Sequence, residues 1–164
     1  MRHVKKALLL ALALLVCAGC APDGPDLDPA ELVRAMMAAD TTLPEMTERS
    51  GGEGGADGFT YLSGLDYGRV EDYFYACASA GTAEEMAVVK LKDRADAAAL
   101  MDSLADHLEA RRDAFAQYDP EQVPLTESAV LTREGRYVAL IVSQKNGLAQ
   151  QEFQKFFQED SPPD

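Results

Sequence analysis

The sequence predicts an α+β domain: an N-terminal helix followed by the order β-β-α-β-β-α, with an antiparallel sheet and the helices packed on one face. Three observations lead there. Two pairs of short β-forming runs are each joined by a turn signal, and a long run free of Gly and Pro lies between the pairs. Apolar residues also recur at helical spacing near both ends of the chain. Two hairpins and amphipathic helices bury their apolar surface most simply as layers around one sheet.

Taken in order, Asp28 and Pro29 supply an N-cap and a first-turn proline, and Leu32, Val33, Met36 and Met37 follow at helical spacing. A first helix over 29–39 follows from this. Residues 50–58, SGGEGGADG, carry too many glycines for regular structure and read as a mobile loop. Residues 71–79 (EDYFYACAS) and 85–92 (EMAVVKLK) read as two strands of a hairpin. From 93 to 117 a helix is expected, capped by Asp93, with Ala97, Met101, Leu104, Leu108 and Phe115 along one stripe. Residues 129–133 and 137–143 flank the turn signal Glu134-Gly135 and make the second hairpin. Leu148, Phe153, Phe156 and Phe157 then mark a short last helix, and the single domain is expected to end at 159, with 160–164 as a disordered tail.

The amino terminus calls for a different reading. Arg2, Lys5 and Lys6 precede an apolar run over 7–16, and Ala18-Gly19 stands directly before Cys20. A run of about ten residues is half of what a membrane-crossing helix needs, so it reads as an export signal over 1–19. A cysteine directly after the small pair resembles the lipobox of bacterial lipoproteins, although Cys17 stands where an apolar residue is usual. Cys20 is therefore the expected lipidation site, and residues 20–28, rich in Pro, Asp and Gly, the expected flexible tether. The expected location is the outer, extracytoplasmic face of the cell membrane.

Charge and cysteine content limit the partners. The chain carries a net charge of −13, and removal of the three cations before Cys20 takes the mature form to −16. Such a chain repels phosphate backbones and anionic lipid heads alike, so nucleic acid is not an expected partner and the membrane is expected to be held by the lipid anchor and not by surface charge. After lipidation Cys77 is the one remaining thiol, so stability has to come from a core and not from a disulfide. A monomer is expected.

No catalytic residue emerges from the search for chemistry. His107 is the one histidine after Cys20, and beside Leu108 it reads as a residue at the core boundary. Cys77, between Ala76 and Ala78, reads as a small buried thiol. Asp102, Asp106, Glu109 and Asp113 are helically spaced but fit a solvated acidic face better than a cation site, so no metal and no cofactor is expected. Arg111 falls inside the apolar stripe. Its head can reach water along an apolar stem, pair with Glu71 or Glu85, or hold an anion. Phe59, Tyr61 and Tyr67 lie beside the glycine run and, with Arg111, are the candidate binding residues.

Several segments together carry a family likeness: Leu43-Pro44-Glu45-Met46, YLSGLDYGRVEDY over 61–73, AEEMAVVKLKD over 83–93, Tyr118-Asp119-Pro120-Glu121 after the long helix, and Gly135-Arg136-Tyr137-Val138. In order and spacing they resemble the clostridial-type lipoproteins of domain of unknown function 4358. The resemblance implies an uncharacterised lipoprotein and brings no catalytic residues. The family's long helix tends to carry Arg and Gln where this chain has His107 and Arg111. Two functions stay open. One is a non-catalytic lipoprotein module that binds an envelope protein or ligand, and the other is an envelope hydrolase working through paired carboxylates.

Overall fold

The computed structural model describes residues 24–158. Cys20, the expected signal sequence and the tail over 160–164 lie outside the described residues. The elements are α1 (Pro29–Ala39), β1 (Met46–Ser50), α2 (Gly55–Phe59), β2 (Val70–Ala78), β3 (Glu85–Leu91), α3 (Ala97–Tyr118), α4 (Val123–Glu127), β4 (Val130–Glu134), β5 (Tyr137–Val142) and α5 (Asn146–Gln158). The strands form one five-stranded sheet in the order β1-β2-β3-β5-β4, with every neighbouring pair antiparallel. This is the expected α+β class with its antiparallel sheet.

The helices, however, cover both faces of the sheet, where one face was expected. Alternate residues along each inner strand point to opposite sides. Tyr73, Tyr75, Ala87, Val89, Leu91, Val138, Leu140 and Val142 pack with Phe59 of α2 and with Ala97, Leu100, Leu104 and Phe115 of α3. Phe74, Ala76, Met86, Val88, Ala139 and Ile141 pack with Leu32, Val33 and Met36 of α1 and with Ala149 and Phe153 of α5. The physical reason is written in β3 and β5, whose side chains are buried without exception. A continuous apolar run has no polar face to offer water, so both faces need cover.

Three further features differ from the sequence reading. The segment 46–50 is a strand, β1, paired through Met46↔Ala78 and Ser50↔Phe74. It is short and carries Glu48 and Arg49, the usual composition of a protected edge. The glycine run is not wholly a loop, because its second half is the short helix α2. The second hairpin turns at Gly135-Arg136, one residue beyond the expected pair, since Glu134 pairs with Tyr137 and Gly135 takes a φ of 56°.

The last part of the expected spacer is fastened to the domain. Tyr137 lies under it and donates its hydroxyl towards the carbonyls of Pro25 (3.1 Å) and Leu27 (3.3 Å), while the Leu27 N–H donates back to that oxygen at 2.8 Å. Asp26 accepts from Lys90 Nζ at 2.5 Å and from Arg136 Nη2 at 3.1 Å. Glu71 completes the square, at 2.7 Å from Lys90 Nζ and in ion-pair contact with Arg136 Nη1. The hydrogen bond and then the charge of Lys90 outweigh burial and, with a lesser contribution from the charge of Arg136, hold the Asp26 carboxyl below the usual carboxylate range. Burial disfavours the Lys90 charge, but hydrogen bonds to Asp26 and Glu71 outweigh it and raise its pKa. At the other end of α1, the buried Asp40 accepts from Thr42 and from Ser143 just after β5, which ties that helix to the sheet.

A two-sided core makes both layers costly to thin. Leu104→Ala on one face and Phe153→Ala on the other should each lower unfolding free energy by about 2–5 kcal/mol in urea titrations. A loss below 1 kcal/mol for either would show that its face is not packed as described.

Candidate functional site

The most concentrated chemistry in the domain is built around Glu85, whose side chain is fully buried at the start of β3. Strand alternation turns Glu85 and Tyr75 towards α3, and helical spacing places His107 and Arg111 one turn apart on the facing side. The Tyr75 hydroxyl donates to Oε2 at 2.8 Å. His107 Nε2 sits 3.0 Å from Oε2 and 3.2 Å from Oε1, and opposite a carboxylate this nitrogen is the one that carries hydrogen. Arg111 Nε lies 3.2 Å from Oε1 without the alignment of a hydrogen bond, so that contact is an ion pair. Its Nη2 donates to the carbonyls of Thr82 (3.3 Å) and Ala83 (3.4 Å), and its guanidinium lies over the Phe115 ring. Of the readings open for Arg111, the structure realises the pair with Glu85.

Both carboxylate oxygens are thus occupied by the protein itself. Burial, then the charge of Glu85 and its hydrogen bond, push the Tyr75 hydroxyl far above its ordinary pKa, only partly offset by Arg111. The cluster is a buried ion pair in which both carboxylate oxygens are engaged while Arg111 Nε is held by charge alone, an arrangement that is strongly destabilised when one partner is removed. His107 is half-buried, and beside it lies a depression of about 310 Å³ whose wall includes Ser63, Ser103 and Asp106. Ser63 and Ser103 hold each other at 2.8 Å, and the Gly64 N–H donates to Ser103 Oγ at 3.0 Å.

The three candidate aromatics separate in the structure. Phe59 is a core residue, 1% exposed, and not a surface anchor. It packs at 5.5 Å from Tyr67 and 5.2 Å from Tyr73, because α2 turns its side chain under the sheet edge. Tyr67 is half-buried against the same group. Tyr61 alone is open, at 63% exposure, and the Arg49 guanidinium of β1 lies 4.7 Å from its ring centre. Tyr61 and Arg111 therefore belong to different places, one on the surface and one inside. Cys77 is half-buried rather than buried, and Arg49 Nη1 donates to its Sγ at 3.4 Å.

Arg49 was not among the residues singled out from the sequence. Its signal was faint, a single cation in a segment with no periodicity of its own; once MTERS is placed as an edge strand, the arginine faces the exposed tyrosine. The acidic residues Asp102, Asp106, Glu109 and Asp113 are all exposed on α3, with Arg112 paired to Glu109 and Asp113. No group of three or more metal-ligating side chains converges among the described residues. No helix among them is long and apolar enough to cross a membrane.

The architecture is that of a small α+β module: a two-sided antiparallel sheet with a buried glutamate cluster at one end. The chain belongs to the family Domain of unknown function (DUF4358), whose model matches residues 46–143, from the start of β1 to just past β5. No curated protein and no solved structure matches the chain.

The Glu85 cluster sets a pH dependence whose sign is fixed. An unfolded tyrosine titrates near 10, whereas Tyr75 in the folded protein stays protonated well above that. The folded state then binds more protons than the unfolded state, so stability is full below pH 10 and falls as pH rises beyond it. Urea titrations between pH 8 and 11 should show this decline, with Tyr67 and Tyr73, also raised chiefly by burial, adding to it. Tyr75→Phe should flatten it, and an equal slope in that variant would count against the assignment. Glu85→Ala, which strands Arg111 and His107, should cost about 3–5 kcal/mol.

Proposed function

We propose that the chain is a lipoprotein anchored through Cys20 at the extracytoplasmic face of the membrane, and that its domain is a non-catalytic binding or scaffold module. The surface that meets an envelope protein is the patch around Tyr61 and Arg49. The observation that carries this reading is Tyr61 itself, a large ring left 63% exposed and steadied by the Arg49 guanidinium. Aromatic and arginine side chains supply most of the binding energy in protein interfaces, and a pre-positioned ring loses little freedom on contact. The anchor reading is supported by Ala18-Gly19-Cys20 behind a short apolar run. The basic and nucleophilic candidates point the same way. His107 and Arg111 are spent on Glu85, and Cys77 is turned to Arg49. In the depression beside His107 the one carboxylate in the wall is Asp106, whereas glycoside hydrolysis takes a facing pair.

Two measurements test the proposal. Protein from a lipoprotein-processing bacterium should incorporate labelled palmitate and partition into detergent, and Cys20→Ser should abolish both lipid labelling and signal cleavage at Gly19. Crosslinking followed by purification should capture an envelope protein, and Tyr61→Ala should reduce that capture about tenfold or more without lowering the melting temperature. Undiminished capture by folded Tyr61→Ala protein would remove the surface assignment. A folded His107→Gln variant that kept capture but lost turnover of an envelope glycan would replace the binding module with an enzyme.

A further inference from the structure

We infer that the anchored domain stands on the membrane in one orientation, with the sheet end that carries Lys92, Arg94 and Arg133 against the phosphates of anionic phospholipid headgroups. The inference rests on the reading of Cys20 as the lipid-bearing residue and adds to it the surface that meets the bilayer. The strand register defines that end. Val70 faces Leu91, Lys90 faces Tyr137, and Glu134 faces Tyr137, so β2 and β5 begin where β3 and β4 finish. The N-terminal segment is latched at the same end, by the bonds of Asp26 to Lys90 and Arg136 and of Leu27 to Tyr137. From Cys20 to Gly24 the chain advances four residues, which span at most about 14 Å. A lipid on Cys20 therefore brings this end of the sheet, and no other, close to the bilayer.

The distribution of charge agrees. Of the fifteen Lys and Arg in the chain, three precede Cys20; of the remainder, Arg69, Lys90, Lys92, Arg94, Arg133 and Arg136 gather at the latched end, among a similar number of carboxylates that include Asp26, Glu71, Asp96 and Glu134. Lys90 and Arg136 are neutralised by Asp26 and Glu71, and Arg69 is paired with Asp96 at 3.0 Å. Lys92, Arg94 and Arg133 are exposed and form no ion pair among the described residues. Lys92 gives one of its hydrogens to the Gly68 carbonyl at 2.8 Å. Arg94 and Arg133 stand in the wall of one depression of about 560 Å³, together with Asp93, Ala95, Glu134 and Gly135. Its two carboxylates, Asp93, which accepts from the Ala95 N–H, and Glu134, offset the charge of the two arginines in number, but the guanidinium forks are the groups that match phosphate oxygens.

The opposite end has no comparable group of free cations, Lys145 being the exposed cation beyond β5. Around the β2–β3 connection and α4, Glu84 and Glu121 line a surface depression, with Glu127 exposed nearby. A nine-residue strand such as β2 runs about 30 Å, several screening lengths at physiological salt, so the two ends feel an anionic membrane independently. Attraction at the near end and repulsion of the far end select the same pose. A net charge of −16 does not oppose this, because membrane electrostatics act on the residues within a screening length and not on the chain's total.

Photo-crosslinking in cells making the full chain tests the inference. A benzophenone side chain is placed at exposed Ala95, or for comparison at exposed Glu121, in cells fed labelled phosphate, and phospholipid adducts are counted beside palmitate incorporation in the same sample. Adducts at Ala95 should exceed those at Glu121 at least fivefold. In the Ala95 protein, Arg94→Gln combined with Arg133→Gln should cut adducts threefold or more with palmitate labelling unchanged. Palmitate-labelled protein with equal adducts at both positions overturns the orientation and leaves the anchor standing. Unchanged adducts in the double variant overturn headgroup recognition by the arginines. Protein that carries no palmitate removes the anchor and this inference with it.

Discussion

The burial of every side chain of β3, including one carboxylate and one ammonium, is the constraint on which the rest of the domain depends. Glu85 and Lys90 stand five residues apart, so strand alternation sends them to opposite faces. A charge withdrawn from water costs several kcal/mol unless it is paired and hydrogen-bonded, and each face therefore has to deliver partners to a fixed point. On one face α3 delivers His107 and Arg111, and on the other the N-terminal segment delivers Asp26. The central strand thus fixes how the layers align as well as how they pack.

This accounts for features that look local when taken singly. An arginine in the apolar stripe of α3 is a registration point, because sliding the helix by one turn would leave a buried carboxylate without its cation. Tyr137 is fully covered yet keeps its hydroxyl bonded to the incoming chain, joining the N-terminal segment to the sheet just where Lys90 needs its partner. Asp40 does the same for the far end of α1. Burial weakens its charge, but hydrogen bonds from Ser143 and Thr42, with the charge of Lys145, prevail and leave its pKa below the ordinary value.

Elements with a strong local signature were readable from the sequence. The long helix, the first helix, both hairpins and the last helix follow from periodicity, a capping pair and turn glycines, and each is present within a few residues of its expected limits. Three features were hidden for separate reasons. MTERS has no apolar alternation, and becomes a strand because β2 offers it an open edge. The covering of both faces depends on reading β3 and β5 as wholly buried, although the alternation of EMAVVKL seen alone suggests a half-exposed strand. The Glu85 cluster joins residues 75, 85, 107 and 111, and while the sequence offered Glu85 as one of two partners for Arg111, only the register of β2 on β3 adds Tyr75. Phe59 was misplaced because glycines on its N-terminal side suggested an open loop, whereas α2 rolls the ring inward.

The glycines of that segment have a consequence for how its gene can drift. A methyl group at Gly51 would stand 2.3 Å from Asp72 Oδ1, one at Gly55 2.6 Å from the Tyr67 hydroxyl, and one at Gly58 2.5 Å from the Tyr73 hydroxyl. Tyr73 cannot yield easily, since it is buried and donates to the Gly55 carbonyl at 2.8 Å. Gly52 and Gly54 have open space around them, but their φ angles of 95° and 78° belong to the left-handed region. Asparagine, which tolerates positive φ better than other side chains, can therefore replace Gly54 at modest cost, whereas no side chain fits at Gly58 without displacing a core tyrosine. A stretch that looks like low-complexity filler thus contains two kinds of invariance, one imposed by space and one by backbone angle, and descendants of this sequence should erode the second before the first.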